Sequence, residues 1–462
     1  MSDIFLYNTK TRQQEAFVPI HEGGVSIYSC GPTVYHYAHI GNLRAYVFAD
    51  VLRRMFVQSG FSVKHVINIT DVGHLVGDGD MGEDKLETGA KREGKTAWDI
   101  AKFYTDAFFV DLDALNIPRD AYLFPRATEN IPEQITLIKT LEEKGFTYKT
   151  SDGIYFDTSK FPRYTDLAKL DIEGLQSGAR IEENTEKKNI TDFALWKFSP
   201  KETVRHMEWD SPWGKGFPGW HIECSAMSEK YLGKHFDIHT GGIDHIPVHH
   251  TNEIAQSEGA HNETYVNYWM HVNFLNDKDG KMAKSSGDFL RLQTLINEKI
   301  NPLAYRYYLL TTHYRSEISF SFESLRGSQE AYNKLFSWCA HYKETTGTIS
   351  EKYKADFKRM IGDDVNTPQA IALIWTLMKD YGVSATDKYA TILYFDEVLG
   401  LGLKNATRLE LHVSDEVKKL LEERDKARIN KNFAESDRLR NEIANHGFVV
   451  KDTPNGQELE TK

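Results

Sequence analysis

Cysteine is scarce. The 462-residue chain has three, Cys30, Cys224 and Cys339, far apart in sequence, which excludes a disulfide framework and points to a reducing, cytoplasmic setting. No stretch approaches the about 20 apolar residues that a bilayer-spanning helix needs, so no membrane partner is expected. The N-terminus, Met1-Ser2-Asp3-Ile4-Phe5, lacks a basic region followed by an apolar run, which argues against export. Positive charge is in deficit, with Lys and Arg at 56 against Asp and Glu at 67. The resulting net charge of -11 excludes a general polyanion binder, while still permitting a local basic surface for a folded RNA. Internal repeats and low-complexity tracts are absent too, which removes solenoids and flexible linkers.

What is present is an ordinary globular mixture, 40% hydrophobic and 27% charged, long enough for roughly three domains. The organising stretch is Tyr28 to Asn42. Ser26, Ile27 and Tyr28 suit a strand and Gly31-Pro32 breaks it. Leu43, Val47, Phe48, Val51, Leu52 and Met55 then recur at helical spacing over 43–56. In a parallel α/β sheet such a turn lies at the carboxyl edge, where helix amides and close-approaching glycines suit a phosphate. His36 and His39 sit beside Gly41 there. A second strand over 62–69 ends in Thr70-Asp71. Thr96 caps a helix to Leu115 with Ile100, Phe103, Ala107 and Val110 on its packing face, and Thr128 caps another ending at Lys144-Gly145. A hairpin around Ser151-Asp152-Gly153 opens a polar region reaching about residue 210. Strong α/β pattern resumes at Trp220, with a helix over 221–232, a strand over 236–239 and a helix over 249–257. Helical pattern dominates from Leu290 to about Leu403, and two charged helices, 415–428 and 433–445, form a small last module.

Three constellations invite chemistry. Cys30, at a strand end, and Cys224 could meet at one sheet edge, and His249 and Glu253 share a helical face. Together they offer zinc soft and borderline ligands, although each half alone also fits buried thiols and a surface pair. Lys281-Met282-Ala283-Lys284-Ser285 fits either a loop over phosphates or an exposed basic turn. Gly241-Gly242-Ile243-Asp244 fits either a ribose contact or a plain turn. In the last module, acidic neighbours largely offset the cations, which favours solvated helices with intrahelical pairs.

Taken together these pieces resemble the class I aminoacyl-tRNA synthetases, and among them the cysteine-specific family. His39-Ile40-Gly41-Asn42 is similar to the family's His-Ile-Gly-His signature, with Asn42 in place of its last histidine. Lys281 to Ser285 is similar to its Lys-Met-Ser-Lys-Ser loop, with Ala283 in place of a serine. Cys30, the Gly219-to-Met227 stretch and His249-His250-Thr251-Asn252-Glu253 match the positions of that family's zinc ligands. The resemblance implies an α/β fold: a Rossmann-like parallel-sheet catalytic domain with an inserted domain, then an α-helical bundle and a small C-terminal anticodon-binding module. The implied limits are 1–121 and 216–265 for the two catalytic halves, with an insertion at 122–215. A stem-contact region at 266–325 carries the lysine loop, followed by the bundle at 326–405 and the anticodon module at 410–462. Implied too is a monomer that activates L-cysteine with ATP and Mg²⁺ and transfers it to tRNA(Cys). One zinc, on Cys30, Cys224, His249 and Glu253, would select the thiolate. By the same resemblance His39, Lys284 and Lys281 are catalytic, while His36, His39, Gly41, Asn42, Gly242, Asp244 and Lys284 bind ATP. Gly31, Thr70 and Trp220 bind cysteine.

Overall fold

A computed structural model describes residues 4–73, 86–89, 94–169, 186–200, 205–277, 290–407, 414–453 and 456–461. Lys281 to Ser285 lie outside these residues, as do part of the polar region that reaches about residue 210 and the start of the expected anticodon module at 410.

The chain opens with a short antiparallel pair, β1 (Phe5–Asn8) and β2 (Gln13–Ala16). β3 (Gly24–Ser29) follows, a strand with Val25, Ile27 and Tyr28 buried. It leads through the turn 30–39 into helix α1 (Ile40–Gln58) and strand β4 (Ser62–Ile67). The helix starts three residues before Leu43. His39 takes the N-cap, its Nδ1 accepting from the Asn42 amide at 3.2 Å while Asn42 Oδ1 accepts from the His39 amide at 3.3 Å. This reciprocal capping box satisfies two amides that would otherwise lack partners. Helix α1 is buried almost all round, including Arg44 and Asp50, so its surroundings must answer those two charges.

Helix α2 (Ala97–Ala114) is capped by Thr96 and ends at Leu115. Its packing face is Ile100, Ala101, Tyr104, Phe108 and Leu112, whereas Phe103 and Val110 of the expected face are 43% and 66% exposed. The large rings decide this: Phe108 packs edge-on to Tyr46 of α1, and Tyr104 stacks on His36. Thr128 caps no α-helix. Asp71 draws in its amide and its hydroxyl at 2.9 and 2.8 Å, and helix α3 (Ile131–Glu143) starts after Asn130.

The inserted sheet is antiparallel, in the order β5 (Thr147–Lys149), β6 (Gly153–Phe156), β7 (Phe193–Phe198), β8 (Gly216–Pro218). Helix α4 (Trp220–Leu232), β9 (Phe236–Gly242), a π-turn at Ile246–His250, α5 (Thr251–His261) and β10 (Val266–Val272) follow. The main sheet is parallel, in the order β10-β9-β3-β4, and Leu123 and Arg126 add parallel bridges beside β4. Backbone pairing thus carries β8 past residue 215 and β10 past residue 265, because a change of polarity along the sequence does not register which strand bonds to which.

From β3 the chain first moves outward to β4 and only later returns to the other side at β9. The crevice between β3 and β9 is therefore the switch point of the sheet, where such folds hold their ligands. Cys30 stands at that crevice, its amide bonded to Thr240 O at 3.1 Å.

Next come β11 (Leu275–Asp277), α6 (Leu292–Asn297), α7 (Pro302–Leu310) and β12 (Ile318–Phe320), with β11 and β12 paired in parallel. Four helices complete this unit: α8 (Phe322–Tyr342), α9 (Glu351–Gly362), α10 (Thr367–Lys379) and α11 (Ala385–Leu399).

Residues Ala406–Lys462 form a second compact unit. Its helices α12 (Asp415–Ile429) and α13 (Phe433–Asn445) and the hairpin β13 (Phe448–Thr453) and β14 (Gly456–Thr461) enclose Val417, Leu420, Leu439, Ile443 and Val450. Lys418 and Arg438 make the expected intrahelical pairs. Arg424 and Arg428 instead reach Asp452 of the hairpin, joined there by Arg440, which also pairs with Asp437 of its own helix; the buried Arg424 guanidinium needs a carboxylate within reach. Among the described residues no helix is long and apolar enough to cross a membrane.

Candidate metal centre and active site

The metal set expected from the sequence comes together. Ligand atoms of Cys30, Cys224, His249 and Glu253 all lie within 4.8 Å of one another. Cys30 ends β3, Cys224 sits in the second turn of α4, His249 in the π-turn and Glu253 one turn further on, so three segments of chain meet at the switch point. A tetrahedral zinc with bonds of about 2.0–2.3 Å needs donors about 3.3–3.8 Å apart, which this set can reach with small side-chain movements. Two thiols, an imidazole and a carboxylate also match the ion's preference for N and S donors. The residues fit the metal.

The surroundings aim these donors. His249 Nδ1 lies 2.9 Å from His221 Nδ1, leaving Nε2 toward the centre, 3.1 Å from Glu253 Oε1. Glu253 Oε2 is held by His239 Nε2 at 2.9 Å and by the Tyr265 hydroxyl at 3.1 Å. Electrostatics sharpen the contrast between the two thiols. Burial and the neighbouring Cys224 push the Cys30 thiol well up, whereas the hydrogen bond from Cys30 holds Cys224 below its ordinary value. For His249, burial opposes the cation, yet Glu253 and Cys224 outweigh it and raise the imidazole to about 10. Burial likewise opposes the Glu253 carboxylate, but His239 and His249 hold it well below the usual range.

A wall of imidazoles that sequence reasoning missed completes the crevice. His250 Nε2 lies 3.2 Å from Cys30 Sγ, and its Nδ1 lies 2.7 Å from His271 Nε2, which is anchored in turn through Thr9. Cys30, His239, His250 and Glu253 form a second set of donors within the same 4.8 Å span. The signal was available: His239 and His271 lie on neighbouring parallel strands, where period-2 alternation turns both toward one face.

Of the proposed cysteine contacts, Gly31 adjoins Cys30 and must be glycine, since a Cβ there would lie 1.5 Å from Asn68 O. The Trp220 ring packs 4.4 Å from that of His249, and Thr70 is bonded across the turn to Pro32 and Val34. Among the residues expected to bind ATP, Gly41 leaves room for the His39 ring, which a Cβ would approach to 3.0 Å. Burial lowers the His39 imidazole, while Asp244 raises it and His36 lowers it, so these three groups share one neighbourhood. Because His39 Nδ1 accepts from Asn42, the neutral ring carries its proton on Nε2. Gly242 stands at the end of β9, directly before the short turn that bears the exposed Asp244.

The chain is similar to known proteins along nearly its whole length. The family model for the class I (C) tRNA synthetase catalytic domain matches residues 16–330, and that for the cysteinyl-tRNA ligase anticodon binding domain matches 412–459. Cysteine–tRNA ligase 1 of Burkholderia lata is 52% identical over 455 residues, covering 98% of this chain and 96% of that protein. The cysteine–tRNA ligase of Treponema denticola is 44% identical over 480 residues, covering 97% of each. In fold, the chain is similar to Mycobacterium tuberculosis methionyl-tRNA synthetase in complex with methionyl-adenylate. The TM-score is 0.56 at 15% identity, over 84% of this chain and 92% of that one. With catalytic and anticodon models matched in order and relatives aligned from end to end, the chain belongs to the cysteine–tRNA ligase family of class I aminoacyl-tRNA synthetases.

Proposed function

We propose that this ligase activates L-cysteine with ATP to cysteinyl-adenylate and transfers it to the 3′ end of tRNA(Cys). The observation that carries the reading is the four-donor set at the switch point, adjoining the turn that ends at His39, the cap of helix α1. In the first step a carboxylate oxygen of cysteine bonds to the α-phosphorus of ATP. The bond from that phosphorus to the bridging oxygen breaks, and pyrophosphate leaves with Mg²⁺. In the second, a terminal ribose hydroxyl of the tRNA bonds to the activated carbonyl carbon, AMP leaves, and the hydroxyl proton passes to solvent. No protein nucleophile is needed; positioning and cationic stabilisation supply the rate.

His39 donates from Nε2 to a phosphate oxygen, with His36, Gly41 and Asn42 beside it. Lys281 and Lys284 meet the charge that builds on the phosphates, and Gly242 and Asp244 face adenosine. Gly31, Thr70 and Trp220 surround the amino acid. Cys30, Cys224, His249 and Glu253 would hold one zinc. When bound, the ion supplies an exchangeable position that accepts a thiolate far better than a hydroxyl, which selects cysteine over serine. The expected division into catalytic halves, insertion, stem-contact region, bundle and anticodon module, a monomeric state and a cytoplasmic location belong to the same proposal.

Cysteine-dependent exchange of pyrophosphate into ATP, followed by charging of purified tRNA(Cys), tests the reaction. Serine should drive neither, and equal exchange with serine would sink the selectivity. Elemental analysis should return about one zinc per chain and a large loss in Cys224→Ser. Full metal content in that variant would remove the assigned ligands.

A further inference from the structure

Arg44 lies in the second turn of α1 and is only 3% exposed, yet no carboxylate pairs with it among the described residues. Its guanidinium is answered by five backbone carbonyls. Nη1 donates to Asn273 O and Phe274 O, each at 2.7 Å. Nη2 donates to His313 O at 3.1 Å, Tyr314 O at 3.4 Å and Ser316 O at 2.6 Å. A buried cation without a counter-ion is costly, and a planar fork that gathers five carbonyls from two segments is a geometric device that a lysine cannot copy.

The two segments are informative. Asn273 and Phe274 directly precede β11, which ends at Asp277, just before the segment that bears Lys281 and Lys284. Beyond that segment, Leu290 O accepts from the Ile40 amide at 2.9 Å, and Arg291 bridges to His39 with its guanidinium 4.3 Å over the Tyr37 ring. One end of helix α1 therefore holds both flanks of the lysine-bearing segment, one through its first amide and the other through Arg44. The same end presents His39.

We propose that Arg44 is a positioning residue for adenylate formation: it fixes the strand leading to Lys281 and Lys284 at a set distance from His39. This rests on the proposed role of Lys284. A displacement of about 1 Å in a catalytic group can lower a rate by about 100-fold, so the five carbonyl bonds have a measurable consequence.

The test uses the full chain and cysteine-dependent pyrophosphate exchange. Arg44→Lys keeps the charge and loses the fork. It should lower kcat by about 10- to 100-fold, with KM for cysteine within about 2-fold of the parent. Arg44→Gly should regain activity with added guanidinium ion and not with ammonium; if that variant does not fold, Arg44→Lys and the cycle below decide. An unchanged kcat in Arg44→Lys, or a loss carried by KM for cysteine in parallel with the thermal melt, would overturn the inference. Lys284→Ala separates the two readings. If it lowers kcat while Arg44→Lys does not, the inference fails and the lysine's role stands. If Lys284→Ala leaves exchange intact, both fail. In the double variant the losses should be non-additive; full additivity would show that Arg44 acts by another route.

Discussion

At the residue scale, His65 makes a clean test of buried chemistry. It lies within β4, buried, with Nε2 2.8 Å from Ser29 Oγ and Nδ1 without a hydrogen-bond partner among the described residues. Burial, helped by Arg53 and opposed by Asp50, lowers it from 6.5 to about 3. The folded chain therefore keeps this ring neutral while the unfolded chain protonates it below 6.5. Its contribution to stability is complete above pH 6.5 and is lost as pH falls toward 3, by up to about 1.4 kcal/mol per pH unit. Denaturant titrations of the parent and His65→Asn should differ in slope over that window and run parallel above it; parallel curves throughout would mean that His65 is solvated. Legibility at this scale was uneven. His249 and Glu253 could be paired from an i, i+4 spacing, and Cys30 and Cys224 from a resemblance. His239 could have been placed by strand alternation, whereas His250 and Tyr265, which approach Cys30 and bond to Glu253, lie outside strands, where no local pattern records their direction.

At the element scale, helix α1 is tied to the elements around it through Asp50. Arg306 of α7 donates to Asp50 Oδ2 at 2.6 Å, to Leu399 O at 2.7 Å and to Leu115 O at 2.9 Å. Arg54 and Tyr122 also bond to the same carboxylate. Burial would raise the Asp50 carboxyl, but Arg306 and Arg54 hold it below its ordinary value. Removing one partner of such a buried pair strands the other. Arg306→Met should lower unfolding free energy by about 3–5 kcal/mol in denaturant titrations, and a change below about 1 kcal/mol would show that Arg54 and Tyr122 satisfy Asp50 without it. Most elements themselves were readable. Thr96, the glycine after Lys144 and the hairpin at Ser151-Asp152-Gly153 carry their signals locally. The errors at Thr128 and on the face of α2 arose where a distant partner, Asp71 or a ring of the turn 30–39, outweighed local preference.

At the scale of the whole molecule, the division at Ala406 gives a direct experiment. Each unit has its own core, so a chain ending at residue 405 should fold with an unaltered melt. It should retain cysteine-dependent pyrophosphate exchange while losing most of its efficiency, kcat/KM, in charging tRNA(Cys). Unchanged charging by the folded truncation would remove RNA recognition from residues 406–462. Loss of exchange would instead show that the catalytic unit needs the module.

The order of strands in the parallel sheet also sets a timetable for synthesis. Ser26 of β3 is bonded to Asp237 of β9, 211 residues later. At about 5–20 residues per second, a ribosome needs about 10–40 s to supply the missing neighbour. Once β4 has been made, β3 has it on one side and, for the rest of that interval, an unfilled edge on the other, the kind of surface that recruits stray strands. Assembly of the four-donor set must come later still, because Glu253 is made after every other donor in it. In a growing chain, Cys30 therefore waits as a bare thiol for most of the first half of translation.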